Sequence, residues 1–345
     1  MIDLNELTKK VFIVAELSAN HNGSKKVAIE TIKAAKIAGA DAIKLQTYTA
    51  DTITIKSKKK DFIINSGSIW DGDYYYNLYK NAHTPWDWHK ELFNVAREEG
   101  LICFSSPFDF TAVDFLEELD NPIYKIASFE ITDIPLIKYI SSKGKPIIIS
   151  TGISNIDDIN LAIKTIRSQG DCDIAVLKCT SSYPAPINEA NLLMINDIKK
   201  RFNVIPGLSD HTLGIVSPIV ATCMGAKIIE KHFILDKSLG GPDASFSLDR
   251  KQFKNMVQAI RDAEKSIGAI DYTLTENQLK GKDFSRSLYV IKDIKKGEVL
   301  TDKNIKSIRP GFGLHPKYYE EVIGKKVNKN LERGMPLKIN FIEFK

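Results

Sequence analysis

Eight short runs of apolar residues recur along the first two thirds of the chain, and each run ends in polar or ionisable residues. Continuous apolar runs rich in Val and Ile are typical of strands buried on both faces, as in a parallel sheet. Segments with helical periodicity separate most of these runs. The runs are Val11–Leu17, Ala42–Tyr48, Leu101–Pro107, Tyr124–Glu130, Pro146–Gly152, Ile174–Thr180, Val204–His211 and Lys227–Phe233.

Eight strand–helix units predict an α/β fold, a (β/α)8 TIM barrel, over residues 1–268. Active sites of such barrels lie at the carboxyl ends of the strands, so the polar ends of the runs are expected to converge there. Residues 269–283 are polar and are predicted to be a linker. Residues 284–345 contain short β-type segments with turn signals, which predict a small β-rich domain. The connection Thr49–His83 is unusually long, and its aromatic residues favour a lid or substrate loop.

Composition and charge exclude several classes of protein. The net charge of +5, from 48 basic and 43 acidic residues among 345, is too small to argue for a nucleic-acid partner. No apolar run approaches the roughly 20 residues that cross a bilayer, and no signal-peptide pattern opens the chain. The four cysteines are scattered without a CxxC pair. The cysteine pattern favours reduced thiols in a cytoplasmic protein. The lack of a long apolar run predicts no membrane partner.

Two histidines end the last two apolar runs. His211 and His232 would reach the same end of the barrel if their runs are adjacent parallel strands. Two imidazoles with open positions for water or substrate suit a catalytic divalent ion, and oxygen ligands for the remaining positions favour Mn²⁺ or Mg²⁺. The alternatives are two hydrogen-bonded histidines near loops, or one histidine that acts as a general base.

Lys44, Lys125 and Lys178 lie inside apolar runs, where an unpaired charge is costly. One interpretation is an anionic substrate held by Lys44 and Lys125. A second is a Schiff-base lysine of a class I aldolase. A third is pairing with barrel carboxylates. In the first interpretation, hydroxyl donors from the strand ends would be Ser106, Ser128 and Ser150.

Three acidic residues are further candidates for chemistry. Glu16 and Glu130 stand at strand ends, where they could act as acid or base, or orient a substrate. Asp243 follows the eighth run in Gly240-Gly241-Pro242-Asp243. This segment is either a tight turn or a place where the Asp243 carboxylate accepts hydrogen bonds from substrate hydroxyls.

Taken together, these residues resemble the sialic acid synthase family. The resemblance extends over nearly the whole chain, with many motifs in the family's order. In the barrel they are Ala15–Gly23, Lys44–Thr47, Ser105–Phe108, Tyr124–Ser128, Ser150–Gly152, Gly207–Thr212, Glu230–Phe233 and Gly241–Asp243. In the C-terminal domain, Lys295–Glu298 and Arg309–Gly311 resemble the family's antifreeze-like (SAF) domain.

The resemblance implies a transferase that condenses phosphoenolpyruvate with an acetamido sugar aldehyde and water, giving a nine-carbon 2-keto acid and phosphate. It implies a divalent metal ion, Mn²⁺ first with Mg²⁺ or Co²⁺ as alternatives, on His211 and His232, which would polarise the aldehyde oxygen. It assigns catalytic roles to these histidines and to Glu16 and Glu130. Positions matching phosphoenolpyruvate contacts are Lys44, Ser106, Lys125, Ser128, Ser150, Ser181 and Ser209; those matching sugar contacts are Gln46, Tyr183 and Asp243.

Arg309 matches an arginine that the family's SAF domain supplies to the sugar site of the neighbouring subunit. The resemblance therefore implies a domain-swapped homodimer. Three further segments resemble the family members that use 2,4-diacetamido-2,4,6-trideoxy-altrose and make pseudaminic acid: Trp70–Asp73, Ala82–Trp86 and Leu239–Ser247.

Other hypotheses remain open from the sequence. A relative that makes N-acetylneuraminate or legionaminate would use N-acetylmannosamine or its 2,4-diacetamido analogue. Ser181 and Lys178 depart from the N-acetylneuraminate pattern, where asparagine and histidine are common. A Schiff-base pyruvate aldolase is more distant, because the paired histidines and the order of the motifs argue against it. A sugar-binding scaffold is disfavoured by the ring of polar strand ends.

Overall fold

A closed barrel of eight parallel strands, joined in sequential order, forms the N-terminal part of the chain, which confirms the predicted (β/α)8 fold. The computed structural model describes residues 2–67 and 69–343, which form two compact units that divide between Gly268 and Ala269. The barrel strands are β1 (Phe12–Glu16), β2 (Ala42–Thr47), β3 (Ile102–Pro107), β4 (Tyr124–Ile126), β5 (Ile147–Ser150), β6 (Ile174–Cys179), β7 (Ile205–Asp210) and β8 (Ile228–His232).

Helices surround the barrel, and polar side chains cap several of their first turns. Asn155 and Asp249 form capping boxes with residues three positions later, which satisfies otherwise unpaired amide groups. The helices of this unit are α1 (Leu4–Leu7), α2 (Lys25–Ile37), α3 (Ala50–Ile53), α4 (Tyr75–Ala82), α5 (Trp86–Glu98), α6 (Phe110–Glu118), α7 (Ile134–Ser141), α8 (Ile156–Arg167), α9 (Met194–Phe202), α10 (Val216–Cys223) and α11 (Arg250–Ile267).

Side chains along each strand alternate between the barrel interior and the layer under the helices. In β1, Phe12 and Val14 belong to the interior cluster, whereas Ile13 and Ala15 pack in the outer one. Leu4 of α1 closes the amino-terminal end of the interior. The same alternation directs Glu16 inward at the carboxyl end of β1. Large apolar residues therefore fill the lower barrel, and ionisable residues occupy its upper layer.

The outer layer contains an ion pair that lies away from the barrel interior. Lys231 of β8 is 0% exposed, and its Nζ atom donates hydrogen bonds to Asp210 Oδ2 of β7 at 2.5 Å and to the carbonyl oxygen of Thr212. Asp210 is 2% exposed and also accepts a hydrogen bond from the Thr212 amide. The pair joins the ends of β7 and β8, the two strands that lead to His211 and His232.

Two segments contain more regular structure than the sequence predicted. The long connection from Thr49 to His83 includes α3, α4 and a bridge between Ile63 and Tyr74. The predicted linker 269–283 contains a short helix, α12 (Glu276–Gly281), whose first turn is capped by Thr275. The capping box is a local helix signal, whereas the prediction of a linker rests on the polar composition of the segment.

The C-terminal unit has its own small apolar core. Besides α12, its described residues form a two-stranded antiparallel sheet of β9 (Ser287–Val290) and β10 (Ile305–Ile308) and a short helix, α13 (Tyr319–Val322). Isolated bridges link further extended segments, among them Ile294 with Leu331. Among the described residues, no helix is both long and apolar enough to cross a membrane.

Replacing Lys231 by Met should destabilise the fold by about 3–5 kcal/mol, because it leaves the Asp210 carboxylate buried without its cation. Urea unfolding measures the change. Lys265→Met is the control, since Lys265 pairs with Asp262 on the exposed surface of α11, and such pairs contribute little. The double variant Asp210→Leu/Lys231→Met should regain much of the loss. Equal effects of Lys231→Met and Lys265→Met would contradict the assignment.

Candidate active site

The carboxyl ends of the barrel strands open into a cavity of about 620 Å³. Thirteen of the residues singled out from the sequence line this one cavity, although they come from segments spread over more than 200 residues. Ser106 does not contribute to the lining and is fully buried beside Gln46, its register partner. The lining residues from that set are Glu16, Lys44, Gln46, Lys125, Ser128, Glu130, Ser150, Ser181, Tyr183, Ser209, His211, His232 and Asp243.

Four charged side chains form the floor of the cavity. Lys44 Nζ contacts Glu16 Oε2 and lies 3.7 Å from Glu230 Oε1. Lys125 Nζ donates a hydrogen bond to the same Glu230 oxygen at 3.0 Å, and Ser209 Oγ donates at 3.1 Å. All four charged residues are at most 5% exposed. We call Lys44, Lys125, Glu16 and Glu230 the charged floor.

The two carboxyls of the charged floor have opposite pKa shifts. Burial raises the pKa of Glu16 to about 7, in spite of the neighbouring Lys44. Burial also opposes ionisation of Glu230, but the charges of Lys125 and Lys44 outweigh it and lower the pKa of Glu230 to about 2. The floor therefore contains one firmly ionised carboxylate between two lysines and one carboxyl that can change its protonation near neutral pH.

Buried hydroxyls surround the charged floor. Ser106 Oγ and Ser150 Oγ have no hydrogen-bond partner within the described chain. This state is costly, and a ligand in the cavity would relieve it at Ser150, which lines the cavity. Ser128 Oγ and Ser181 Oγ lie 2.5 Å apart. Gly152 makes this approach possible, because a β-carbon there would collide with the Ser181 side chain. Of the hydroxyls predicted to bind phosphoenolpyruvate, the one of Ser150 is thus free to donate into the cavity, whereas Ser128 and Ser181 share a hydrogen bond.

The two imidazoles lie side by side above the floor, with ring centroids 5.3 Å apart. His211 Nδ1 is 3.1 Å from the carbonyl oxygen of Thr180, which favours a proton on Nδ1 and leaves Nε2 as the free ligand atom. Burial and the positive charges of nearby groups hold the pKa of His232 well below its usual range. Its Nδ1 atom is buried without a hydrogen bond, 3.7 Å from Asp243 Oδ2.

Glu130 follows β4 and lies at one side of the cavity. Its side chain is half-buried, and its Oε2 atom has no hydrogen-bond partner among the described residues. Burial raises the pKa of the Glu130 carboxyl to about 7. A carboxyl with a pKa near 7 can take up or release a proton at neutral pH.

The cavity also contains residues that the sequence does not predict as part of the site. One is Glu230, which stands two positions before His232 and so shares its inward direction on β8. Strand alternation is the sequence signal that predicts this position. Lys178, by contrast, points away from the barrel interior on β6 and does not line the cavity. Its Nζ atom donates hydrogen bonds to the Cys179 carbonyl oxygen and to Thr180 Oγ1. Arg309 belongs to the C-terminal unit, and its role stays a prediction.

The long connection after β2 also contributes to the cavity, which agrees with its interpretation as a substrate loop. Its side chains come from α3, from the turn region around Gly67 and from α4. They make the cavity wall largely aromatic and aliphatic on that side. The contributed residues are Ile53, Ile64, Ser66, Gly67, Trp70, Tyr75, Leu78, Tyr79 and Ala82.

Comparison with known proteins agrees with this geometry. The sequence profile of the NeuB family matches residues 31–272. The chain belongs to this family. The SAF domain profile matches residues 285–343, which confirms the predicted C-terminal domain. These matches confirm the resemblance to the sialic acid synthases.

Alignments with individual relatives extend over almost the whole of this chain. A curated pseudaminic acid synthase of Campylobacter jejuni is 50% identical over 330 residues, 96% of each chain. An N,N'-diacetyllegionaminic acid synthase of Legionella pneumophila is 37% identical over 339 residues, 96% of this chain and 94% of that one. The crystal structure of the spore coat polysaccharide biosynthesis protein SpsE of Bacillus subtilis, 33% identical, superposes with a TM-score of 0.65 and covers 97% of this chain and 96% of that one.

Glu130→Gln should change stability in a pH-dependent way. Because burial raises the pKa of Glu130 from 4.5 to about 7, the neutral carboxyl contributes stability below pH 4.5 that is lost as the pH rises through 7. The variant keeps a neutral side chain, so its free energy of unfolding relative to wild type should rise by about 1–3 kcal/mol between pH 4 and pH 8.

Urea unfolding at several pH values measures this difference, with Glu118→Gln on the exposed surface of α6 as the control for losing an acidic side chain. A difference between Glu130→Gln and wild type that does not vary with pH would show that the Glu130 carboxyl is not shifted.

Proposed function

We propose that this chain condenses phosphoenolpyruvate with 2,4-diacetamido-2,4,6-trideoxy-altrose and water to give pseudaminic acid and phosphate. The observation that carries the proposal is the position of Lys44 and Lys125, both next to the Glu230 carboxylate, in the floor of a cavity whose rim holds two adjacent imidazoles. Similarity to the C. jejuni enzyme supports the same reaction and favours it over a legionaminate or N-acetylneuraminate product.

Phosphoenolpyruvate fits the charged floor because both of its ends are anionic. Lys44 and Lys125 would bind its phosphate and carboxylate, and Ser150 would donate its unpaired hydroxyl from the cavity lining. Fixed donors hold the enol face toward the space above the floor, so carbon 3 can meet a sugar aldehyde there. The fold establishes this positioning before the substrates bind. Such positioning is a large part of catalysis between two substrates.

The reaction forms the C3–C1 bond, adds water at carbon 2 of phosphoenolpyruvate and releases phosphate by C–O cleavage. The aldehyde oxygen gains a proton and the attacking water loses protons. Glu130, with a pKa near 7, can supply or accept one of these protons, and Glu16 is the second carboxyl suited to this work. Gln46, Tyr183 and Asp243 would contact the sugar from the rim.

His211 and His232 fit a divalent ion, for which Mn²⁺ is the first choice and Mg²⁺ or Co²⁺ the alternatives. The buried, unpaired Nδ1 of His232 and the free Nε2 of His211 supply nitrogen ligands. No set of three or more His, Cys, Asp or Glu side chains in the described chain is arranged to hold a metal, so water or substrate oxygens would complete the coordination. When bound, the ion would supply Lewis-acid polarisation of the aldehyde.

Phosphate release from phosphoenolpyruvate with Mn²⁺ tests the reaction. We expect turnover with 2,4-diacetamido-2,4,6-trideoxy-altrose and loss of that turnover with EDTA, because the ion is part of the aldehyde site. Turnover of N-acetylmannosamine alone would move the product to N-acetylneuraminate. Trapping of pyruvate by borohydride, insensitive to EDTA, would favour the Schiff-base aldolase instead.

We also propose that the enzyme is a homodimer in which Arg309 of each subunit serves the barrel of the other. Co-expression of Arg309→Ala with Lys125→Ala tests this arrangement. In mixed dimers one barrel keeps Lys125 and receives an intact Arg309, so about one quarter of wild-type activity should return, since half of the dimers are mixed and each has one complete site. An arginine that acts within its own chain would give no recovery. A cytoplasmic location stays a prediction.

A further inference from the structure

The cavity has two chemically different sides. Besides the charged floor, the cavity has a lining surface that comes from the connection between β2 and α5. We call this surface the apolar wall and define it by Ile53, Ile64, Trp70, Tyr75, Leu78 and Tyr79. The mechanism described above uses none of these residues, so the wall needs an explanation of its own.

Helix α4 is built to present one face to the cavity. Tyr75, Leu78, Tyr79 and Ala82 follow the i, i+3, i+4, i+7 spacing that places side chains on one face of a helix, and all four line the cavity. The opposite face carries exposed polar residues such as Lys80. In most amphipathic helices the apolar face packs on a core. Here the Leu78 and Tyr75 side chains remain half-exposed toward the cavity.

Backbone pairing fixes the second part of the wall. The Ile64 amide donates a hydrogen bond to the Asp73 carbonyl at 2.8 Å, and the Gly72 amide donates to the Ile64 carbonyl at 2.9 Å. These bonds hold the Ile64 side chain at 2% exposure. The wall is therefore a preformed surface held by helix and hairpin hydrogen bonds.

Ring contacts connect the wall to the reacting end of the cavity. The Trp70 ring lies 5.6 Å from the Tyr183 ring, and Tyr183 lies 4.4 Å from His211. A sugar whose aldehyde, carbon 1, lies over the histidines would therefore reach the wall with the other end of its chain, carbon 6. The sugar atoms that contact the wall would be apolar atoms, which form no hydrogen bonds.

We propose that the apolar wall determines sugar specificity by receiving the carbon 6 methyl group of the 6-deoxy sugar, with Leu78 as a principal contact. The inference rests on the proposed function. A methyl group loses nothing by leaving water for this surface, whereas a carbon 6 hydroxyl would give up its hydrogen bonds to water. Apolar pockets discriminate by about 10- to 100-fold against one added hydroxyl.

The test compares kcat/KM for 2,4-diacetamido-2,4,6-trideoxy-altrose with that for its 6-hydroxy analogue, both with phosphoenolpyruvate and Mn²⁺. Wild type should prefer the 6-deoxy sugar. Leu78→Ser should reduce that preference by about tenfold, chiefly through a higher KM for the 6-deoxy sugar, with the KM for phosphoenolpyruvate unchanged.

Two further variants keep the test specific. Leu78→Met preserves an apolar side chain of similar volume and should preserve the preference. Lys80→Ser, on the opposite face of α4, should leave all constants as in wild type. Thermal unfolding of each variant verifies that it is folded.

The possible results distinguish failure of the specificity inference from failure of the proposed function. If wild type uses the 6-deoxy sugar but Leu78→Ser lowers kcat/KM equally for both sugars, or changes neither, the role of the wall is overturned while the reaction stands. A wild type that turns over neither sugar would overturn the proposed function and the specificity inference with it.

Discussion

The shared carboxylate of Glu230 is the interaction on which the site depends. One of its oxygens is within hydrogen-bond or ion-pair distance of Lys125, Lys44 and Ser209, which come from three different strands. Two lysines buried in a barrel interior would repel each other and lose hydration without this carboxylate between them. Glu230 therefore allows two cations to lie close together at the bottom of a cavity, where the proposed function places the two anionic groups of phosphoenolpyruvate.

The two-residue period of the strands separates this chemistry from structural support. Glu230 and His232 point into the cavity, while Lys231 between them points outward to Asp210. On β2, Lys44 and Gln46 point inward, while Thr47 joins His89 and Ser105 by hydrogen bonds in the outer layer. Neighbouring polar residues in the sequence thus have different tasks. A buried polar residue at a strand end is not by itself evidence for catalysis.

The connection between β2 and α5 gives the cavity a second character. The barrel strands supply charge and hydroxyls, because their inner faces meet at one end. The connection supplies aromatic and aliphatic surface from a short helix and a hairpin. In the proposed reaction, different parts of the chain would therefore bind the anionic substrate and recognise the methyl-bearing sugar, so that sugar preference would be able to change without changes to the strands.

The sequence by itself determined the eight βα units, the end of the barrel that holds the cavity, and thirteen of the residues that line it, because strand runs and strand-end residues are local patterns. It also carried the motifs that identify the family. Only the tertiary structure decided which charges pair. Glu230 became central, Lys178 proved to face outward, and Ser106 lay beneath the lining, because closure of the barrel sets which side chains from distant strands meet. The raised pKa values of Glu16 and Glu130 have the same origin, since they follow from burial that no local pattern records.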